Sequence, residues 1–396
     1  MASNTLLTSS IITREAQRIL HQKLNFISNI NRQYDDSFAK NGAKNGQTLG
    51  IRLPNKFNIR TGATYSSQDS VETKVDLTVA TQKGVDFEFS STDLTMSIDD
   101  FGSRYLEPAM STLAANMEAD ALNMYKDVWN VVGSEGSAAV LKDVWEARKA
   151  LTDNLAPNSQ RSVCLDTQTN VDLLDATKGL FQSAENIKQQ YREGMLGRTG
   201  GFDWYENTLM PRHTTGTAAA TTGYAVDGAT EDGSTITIKT GSTTFLIGDV
   251  VTFAGCYRIH PETKVSTGVL QKFVVTANSG TSATSLSISP AIVVSGVNQN
   301  VSGYPTNSGA VSKVVGGANA SFDQSLAFHK DAFAFVSADL QIPKGTDMAA
   351  REVMDGLSMR FVRDYSIGDD LFKSRFDVLY GYKAIRPELA CRIIAN

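Results

Sequence analysis

Four histidines, three cysteines and a few paired acids are the side chains here whose types could do chemistry. A metal centre needs His, Cys or carboxylate ligands at short regular spacing, and a nucleophile needs a base beside it. His21, His213, His260 and His329 stand far apart, and none has a His, Cys or acid at ligand spacing. His329 opens the triplet HKD, but the phospholipase motif it imitates places its Lys and Asp several residues further on. Cys164, Cys256 and Cys391 are odd in number and widely separated. They offer neither a disulfide framework nor a C-x-x-C zinc site and point to a reducing compartment. Asp35–Asp36, Asp99–Asp100 and Asp369–Asp370 could hold a hard cation, but each sits at an element boundary, where carboxylates cap helices and brace turns. The patterns G-x-x-x-x-G-K-[ST], H-E-x-x-H, G-x-S-x-G and G-x-G-x-x-G do not occur. The sequence therefore predicts no catalytic residue, no metal and no cofactor, and a protein that is not an enzyme.

The elements around these residues follow from periodicity. Ala16, Ile19, Leu20, Ile27, Ile30 and Tyr34 fall at helical spacing and predict an amphipathic helix over Thr13–Tyr34. Val71, Thr73, Val75, Leu77 and Val79 alternate with Glu72, Lys74, Asp76 and Thr78; Val85, Phe87 and Phe89 alternate with Asp86 and Glu88. With turn residues at Thr81–Gly84, this predicts a long hairpin. Leu106, Met110, Leu113, Met117, Ala121, Met124, Val128 and Val131 then predict one helix from near Ser103 to Val132, roughly 45 Å long at 1.5 Å per residue. Its methionines read as core packing rather than a metal or haem box. Asp143–Asn154 and Asn170–Gln182 read as helices, and Arg161–Leu165 and Phe202–Leu209 as extended. Phe328, Phe333, Phe335 and Val336 mark a buried strand, followed by strands at Met359–Tyr365 and Arg375–Ile385.

Composition changes abruptly in the middle. Thr214–Ser321 holds ten charged residues in 108, with 18 Thr, 14 Gly and 13 Ser. Strand-sized runs such as TITIKT, GDVVTFAG, LQKFVVTA and LSISPAIVV lie between turn residues, the pattern of a small all-β domain inserted into an α+β one. The whole chain has 396 residues, 41% of them hydrophobic, enough for two or three domains. Its 42 acidic and 37 basic residues give a net charge of -5, which argues against a general electrostatic grip on nucleic acid. The start, MASNTLLTSSIITREAQ, has neither a basic region nor an apolar core, and no membrane-length apolar run follows. Synthesis and residence in a cytoplasm, without a membrane, are expected.

Near the carboxyl end, YGYKAIRPELACRI (Tyr380–Ile393) carries an aromatic–Gly pair followed by Arg-Pro-Glu, at Tyr380, Gly381, Arg386, Pro387 and Glu388. It resembles the closing strand of the P22-type coat proteins of tailed phages. GFDWYENTLMP (Gly201–Pro211) is similar to the strand leading into that family's inserted domain. GDVVTFAGCYRIHP (Gly248–Pro261) and LQKFVVTA (Leu270–Ala277) are similar to strands inside it. The first half agrees by element order alone.

The resemblance implies an α+β, HK97-like phage capsid fold with an inserted all-β, barrel-like domain. Its parts would be an N-terminal arm with an amphipathic helix (1–50), an extended hairpin reaching over a neighbouring subunit (51–101), a spine helix (102–133), a peripheral and axial α+β domain (134–212), the insertion (213–321) and returning strands (322–396). The implied function is that of a major capsid protein self-assembling through hexamers and pentamers into an icosahedral virion shell around double-stranded DNA. Implied partners are a scaffolding protein and a portal protein, with assembly in the bacterial host cytoplasm and no sequence-specific DNA binding. A near-neutral wall suits such a container, because a basic one would trap the genome. A two-stranded ribbon is only marginally stable alone, so the hairpin is expected to lie on a neighbour, with Glu72, Lys74, Asp76 and Lys83 as intersubunit contacts. The competing reading is a surface or tail-associated carbohydrate-binding protein. It predicts that Tyr224, Tyr257 and Tyr304 converge on one exposed face of the insertion.

Overall fold

The computed structural model describes residues 9–35, 47–57, 59, 62–65, 72–90, 106–177, 198–354 and 356–395. The chain forms two compact units, one of residues 1–51, 74–122 and 333–385 and the other of residues 52–73, 123–332 and 386–396.

In the first unit, the stretch expected to be one helix is α1 (Ser9–Lys23), α2 (Phe26–Asn29) and the strand β1 (Asn31–Asp35). The helix breaks where Asn25, Asn29 and Asn31 cluster, because an asparagine amide competes for backbone groups; Asn29 Nδ2 donates to the Asn25 carbonyl at 2.7 Å. β1 runs parallel to β17 (Phe333–Ala338) at one side of a sheet. The order continues through β20 (Leu371–Ala384), β19 (Leu357–Ser366) and β18 (Met348–Met354). β4 (Thr81–Ser90) also pairs with β20, from Leu371↔Ser90 to Tyr380↔Thr81. α1 packs against β18, β19 and α3 (Glu107–Leu122).

β4 and β3 (Lys74–Val79) are separated by Ala80 alone, and they do not form the expected hairpin. β3 pairs instead with β2 (Gln47–Arg52), and the Leu53 N–H extends that ribbon to the Thr73 carbonyl at 2.8 Å. The residue that imitated a turn is Gly84. A Cβ there would lie 2.4 Å from the Phe376 carbonyl oxygen of β20, so the glycine serves close strand approach. The alternation itself is real: Lys74, Asp76 and Thr78 are exposed, while Leu77 and Val79 are buried with Ala334, Val336, Ala338 and Leu379. The ribbon thus rests on its own unit at this end. Val71 lies outside the described residues.

The helix expected to reach Val132 ends at Leu122, in a 16-residue α3 followed by a 3-10 turn over Asn123–Asp127. The apolar spacing persists because Met124, Tyr125, Val128 and Val131 are buried in the second unit's core, so the stripe passes from one core to another. Ser103 lies outside the described residues.

The second unit has a sheet ordered β5 (Val131–Gly133), β21 (Ala390–Ala395), β16 (Ser321–His329), β6 (Arg161–Leu165), β8 (Phe202–Glu206) and β7 (Arg198–Thr199), with β9 (Arg212–Thr214) added to β16. α4 (Leu141–Asp153) covers β21, β16 and β5 through Val144, Ala147 and Leu151. The helix expected over 170–182 is α5 (Thr167–Thr177); positions 178–182 lie outside the described residues. The buried strand expected across Phe328–Val336 is two strands, β16 and β17, parted by a 3-10 turn at Lys330–Ala332. Likewise YGYKAIRPELACRI is the end of β20 and all but the end of β21, interrupted at Pro387–Leu389, where Pro387 opens a 3-10 turn with its fixed φ.

The insertion is a closed barrel ordered β10 (Thr221–Val226), β11 (Gly233–Lys239), β14 (Ser285–Ile292), β13 (Ser266–Val275), β12 (Val250–Ile259) and β15 (Ala310–Lys313). Period-two patterning builds its core: Ile236 and Ile238 point in with Phe245, Phe253 and Phe273, and the intervening Thr residues face out. Its two ends lie side by side, since β9 pairs with the start of β16 at Thr214↔Ser321 and His213↔Phe322. Tyr224 is buried in this core and donates its hydroxyl to the Thr243 carbonyl at 2.7 Å. Only Tyr257 and Tyr304 of the three tyrosines are exposed, so the expected exposed triad does not form.

Candidate functional site

Three of the four expected contact residues share the β2–β3 ribbon. Glu72 pairs with Arg52 at 3.4 Å, and Lys74 with Asp76 at 3.4 Å, all solvent-exposed. Lys83 is not among them. It sits on β4 with its ammonium 2.7 Å from Asp120 of α3, whose carboxylate also accepts the Tyr380 hydroxyl at 2.6 Å. Lys83 is therefore an internal tie. Beyond the ladder, Phe57, Ile59 and Tyr65 are 67%, 91% and 82% exposed.

The other candidate chemistry resolves into turns. Asp369 accepts the Ser366 hydroxyl at 3.0 Å and Asp370 the Tyr365 hydroxyl at 2.9 Å, bracing the β19–β20 turn. In HKD, His329 Nδ1 accepts the Asp331 N–H at 3.2 Å, and His260 Nδ1 accepts the Thr263 N–H at 3.2 Å. Asp36, Asp99 and Asp100 lie outside the described residues.

One constellation does converge, and no local spacing announced it. His213 on β9 places Nε2 3.0 Å from Asp249 Oδ1 and Nδ1 3.2 Å from the Tyr125 hydroxyl. Asp249 Oδ2 accepts the Leu246 N–H at 2.9 Å and the Gly216 N–H at 3.1 Å. Arg392 of β21 lies over the Tyr125 ring, 5.8 Å from its centroid, and donates Nη2 to the Gly248 carbonyl at 2.8 Å. Gly248 holds φ +99°, and a Cβ there would lie 2.9 Å from His213 Cε1, so glycine is required where the chain turns into Asp249. These residues belong to the 3-10 turn, β9, the loop before β12, and β21, so the network seats the barrel on the sheet beneath it. An apolar layer of Trp129, Val131, Phe322 and Ile394 against Val250 and Val274 completes the seat.

The electrostatics follow from burial. Burial holds the His213 imidazole below its ordinary value, outweighing the pull of Asp249. Burial alone would raise the Asp249 carboxyl, but the bonds from His213, Leu246 and Gly216 outweigh it and keep the carboxyl below the usual range. A neutral imidazole satisfies both contacts as the Nε2–H tautomer, donating to Asp249 and accepting from Tyr125. Burial raises the Tyr125 phenol and pushes the Arg392 guanidinium down to about 10. The geometry imitates a proton relay, but His213 and Asp249 are both buried. Its work is to fix four segments in one arrangement. A second tie runs nearby, from Arg258 of β12 to Asp153 of α4 at 2.8 Å and from Lys272 Nζ of β13 to the Val131 carbonyl at 2.7 Å.

Tyr125, His213, Asp249 and Arg392 are separated by tens to hundreds of residues, so pattern searching missed them. The available signal was Arg392 itself, a lone cation inside the apolar run ACRIIA.

A search of curated proteins by sequence gives no match. Among solved structures, the chain is similar to one from Mycobacterium phage Che8 (12% identity, 99% of this chain and 94% of that one, TM-score 0.45). It is also similar to chains in the capsid structure of the cyanophage P-SCSP1u (11%, 100% and 92%, TM-score 0.46) and the capsid of Ralstonia phage GP4 (8%, 100% and 93%, TM-score 0.46). These likenesses are distant. The sequence profile described as P22 coat protein, gene protein 5, matches residues 44–393, from just before the β2–β3 ribbon almost to the end of β21. The chain belongs to the P22 coat protein family.

Proposed function

We propose that this chain is the major capsid protein of a double-stranded DNA phage, a non-catalytic subunit whose copies close into an icosahedral shell. The observation that carries the reading is the match of residues 44–393 to the coat protein family. The inferred architecture is the HK97-like one, with α3 as the spine helix, the β2–β3 ribbon as the extended arm and the barrel as the inserted domain. The ribbon supports it: a charged face at Glu72, Lys74 and Asp76, and apolar side chains at Phe57, Ile59 and Tyr65 left in solvent, suit a segment covered by another copy. Many weak contacts repeated over a closed shell give both cohesion and error correction. Hexamers and pentamers of the chain, a scaffolding protein, a portal ring, enclosed DNA held without sequence readout, and assembly in the host cytoplasm complete the proposal.

Electron microscopy of the full chain, expressed with and without its scaffolding protein, tests it. Shells, sheets or polyheads are expected. A chain that stays a monodisperse monomer at high concentration with scaffold present would overturn the assignment.

A further inference from the structure

We propose that one buried water molecule is bound between Arg392 and Gln324 in the seat beneath the barrel. In the β16–β21 ladder Gln324 faces Ile394 and Leu326 faces Arg392, so Gln324 and Arg392 are diagonal neighbours on one face. Diagonal pairs across antiparallel strands lie about 7–8 Å apart, within reach of long side chains. Both residues are 1% exposed. Arg392 Nε and both amide atoms of Gln324 are buried without any hydrogen-bond partner in the protein. Native interiors rarely leave such atoms unpaired.

The atoms decide the ligand. They are two donors, Arg392 Nε–H and Gln324 Nε2–H, and one acceptor, Gln324 Oε1. Water accepts two hydrogen bonds and donates to a third partner, the usual valence of a buried water. A halide could not donate to Oε1, and a metal cation would meet two N–H donors. The bound water would complete the coordination of Arg392, whose Nη2 holds the Gly248 carbonyl in the loop before β12.

The test uses the full chain labelled with 15N-arginine. A water-selective cross-relaxation experiment should show a peak between the Arg392 Nε–H and a long-lived water, assigned by its disappearance in Arg392→Lys. Gln324→Met removes both amide atoms at similar volume; it should abolish or strongly weaken that peak and raise the unfolding equilibrium constant about tenfold. No water peak in the unaltered chain overturns the proposal, whatever the stability of the variant. A peak that survives Gln324→Met unchanged also overturns it, as does a variant at least as stable as the parent, because the amide would then have been dry. If Gln324→Met fails to fold, the measurement on the unaltered chain decides alone.

Discussion

Asp249→Ala removes one carboxylate from the barrel seat and leaves three donors facing the gap: His213 Nε2–H, the Leu246 N–H and the Gly216 N–H, at 3.0, 2.9 and 3.1 Å in the parent. Hydrogen bonds to a charged acceptor contribute about 1.5–3 kcal/mol each, and stranding the buried partners adds to the loss. Partial relaxation and entering water keep the effects from summing, so the expected destabilisation is about 4–6 kcal/mol, at the upper end for a single substitution. Asp249→Asn keeps an oxygen for the two backbone donors but turns an NH2 group toward His213, and should lose about half as much. All three tryptophans, Trp129, Trp145 and Trp204, lie in the second unit, so urea titration followed by tryptophan fluorescence reports on the affected region. With a slope of about 3 kcal/mol per M, the Ala variant's midpoint should fall by roughly 1.3–2 M. A fall below about 0.3 M would mean that Asp249 does not bear the seat, and the reasoning from buried donors would fail.

Acidification should weaken the same region: burial depresses both His213 and His329, so their contribution to stability is full above the unfolded value of about 6.5 and is lost as pH falls through their lower folded values. Each can steepen the loss by up to about 1.4 kcal/mol per pH unit, and His213→Gln should remove its share of the slope in urea titrations between pH 7.5 and 5. On the ribbon, reversing Glu72 and Lys74 together (Glu72→Lys with Lys74→Glu) should change the melt by no more than about 1 kcal/mol per pair while slowing shell formation measured by light scattering; normal assembly would remove the ribbon's charged face from the contact. Leu77→Ala should instead cost the monomer about 2–5 kcal/mol by denaturant titration, because Leu77 is fully buried within its own unit. Residues 214–321 expressed alone should give a β-type circular dichroism spectrum and a cooperative melt without the His213 component of the acid slope; a collapsed NMR spectrum would contradict the closed barrel.

The barrel was legible because its signal is local: Thr–Ile–Thr–Ile alternation and a drop in charge need no knowledge of partners. The ribbon's alternation was legible too, but its partner strand was not. Period two fixes which face is buried and says nothing about which strand lies alongside, and Gly84 serves equally as a turn residue or a close-approach residue. The long apolar stripe misled for a related reason. Met117 and Met124 fit one helical period, yet they belong to different cores, and periodicity does not reveal a change of core. The seat of the barrel lay beyond sequence reading because its charges are assembled by topology: Asp249 finds His213 through the side-by-side pairing of β9 and β16, and Arg392 arrives from the last strand.

That last strand also sets a clock. β21 lies between β5 and β16, with Arg392 opposite Val131, so the place between those two strands in the second unit's sheet stays open until a segment some 260 residues downstream of β5 has been made. At about 5–20 residues per second, a ribosome needs roughly 13–50 s to cover that distance. The barrel, whose strands lie between residues 221 and 313, can close during that wait, while Val131 and Phe322 await the strand that will cover them.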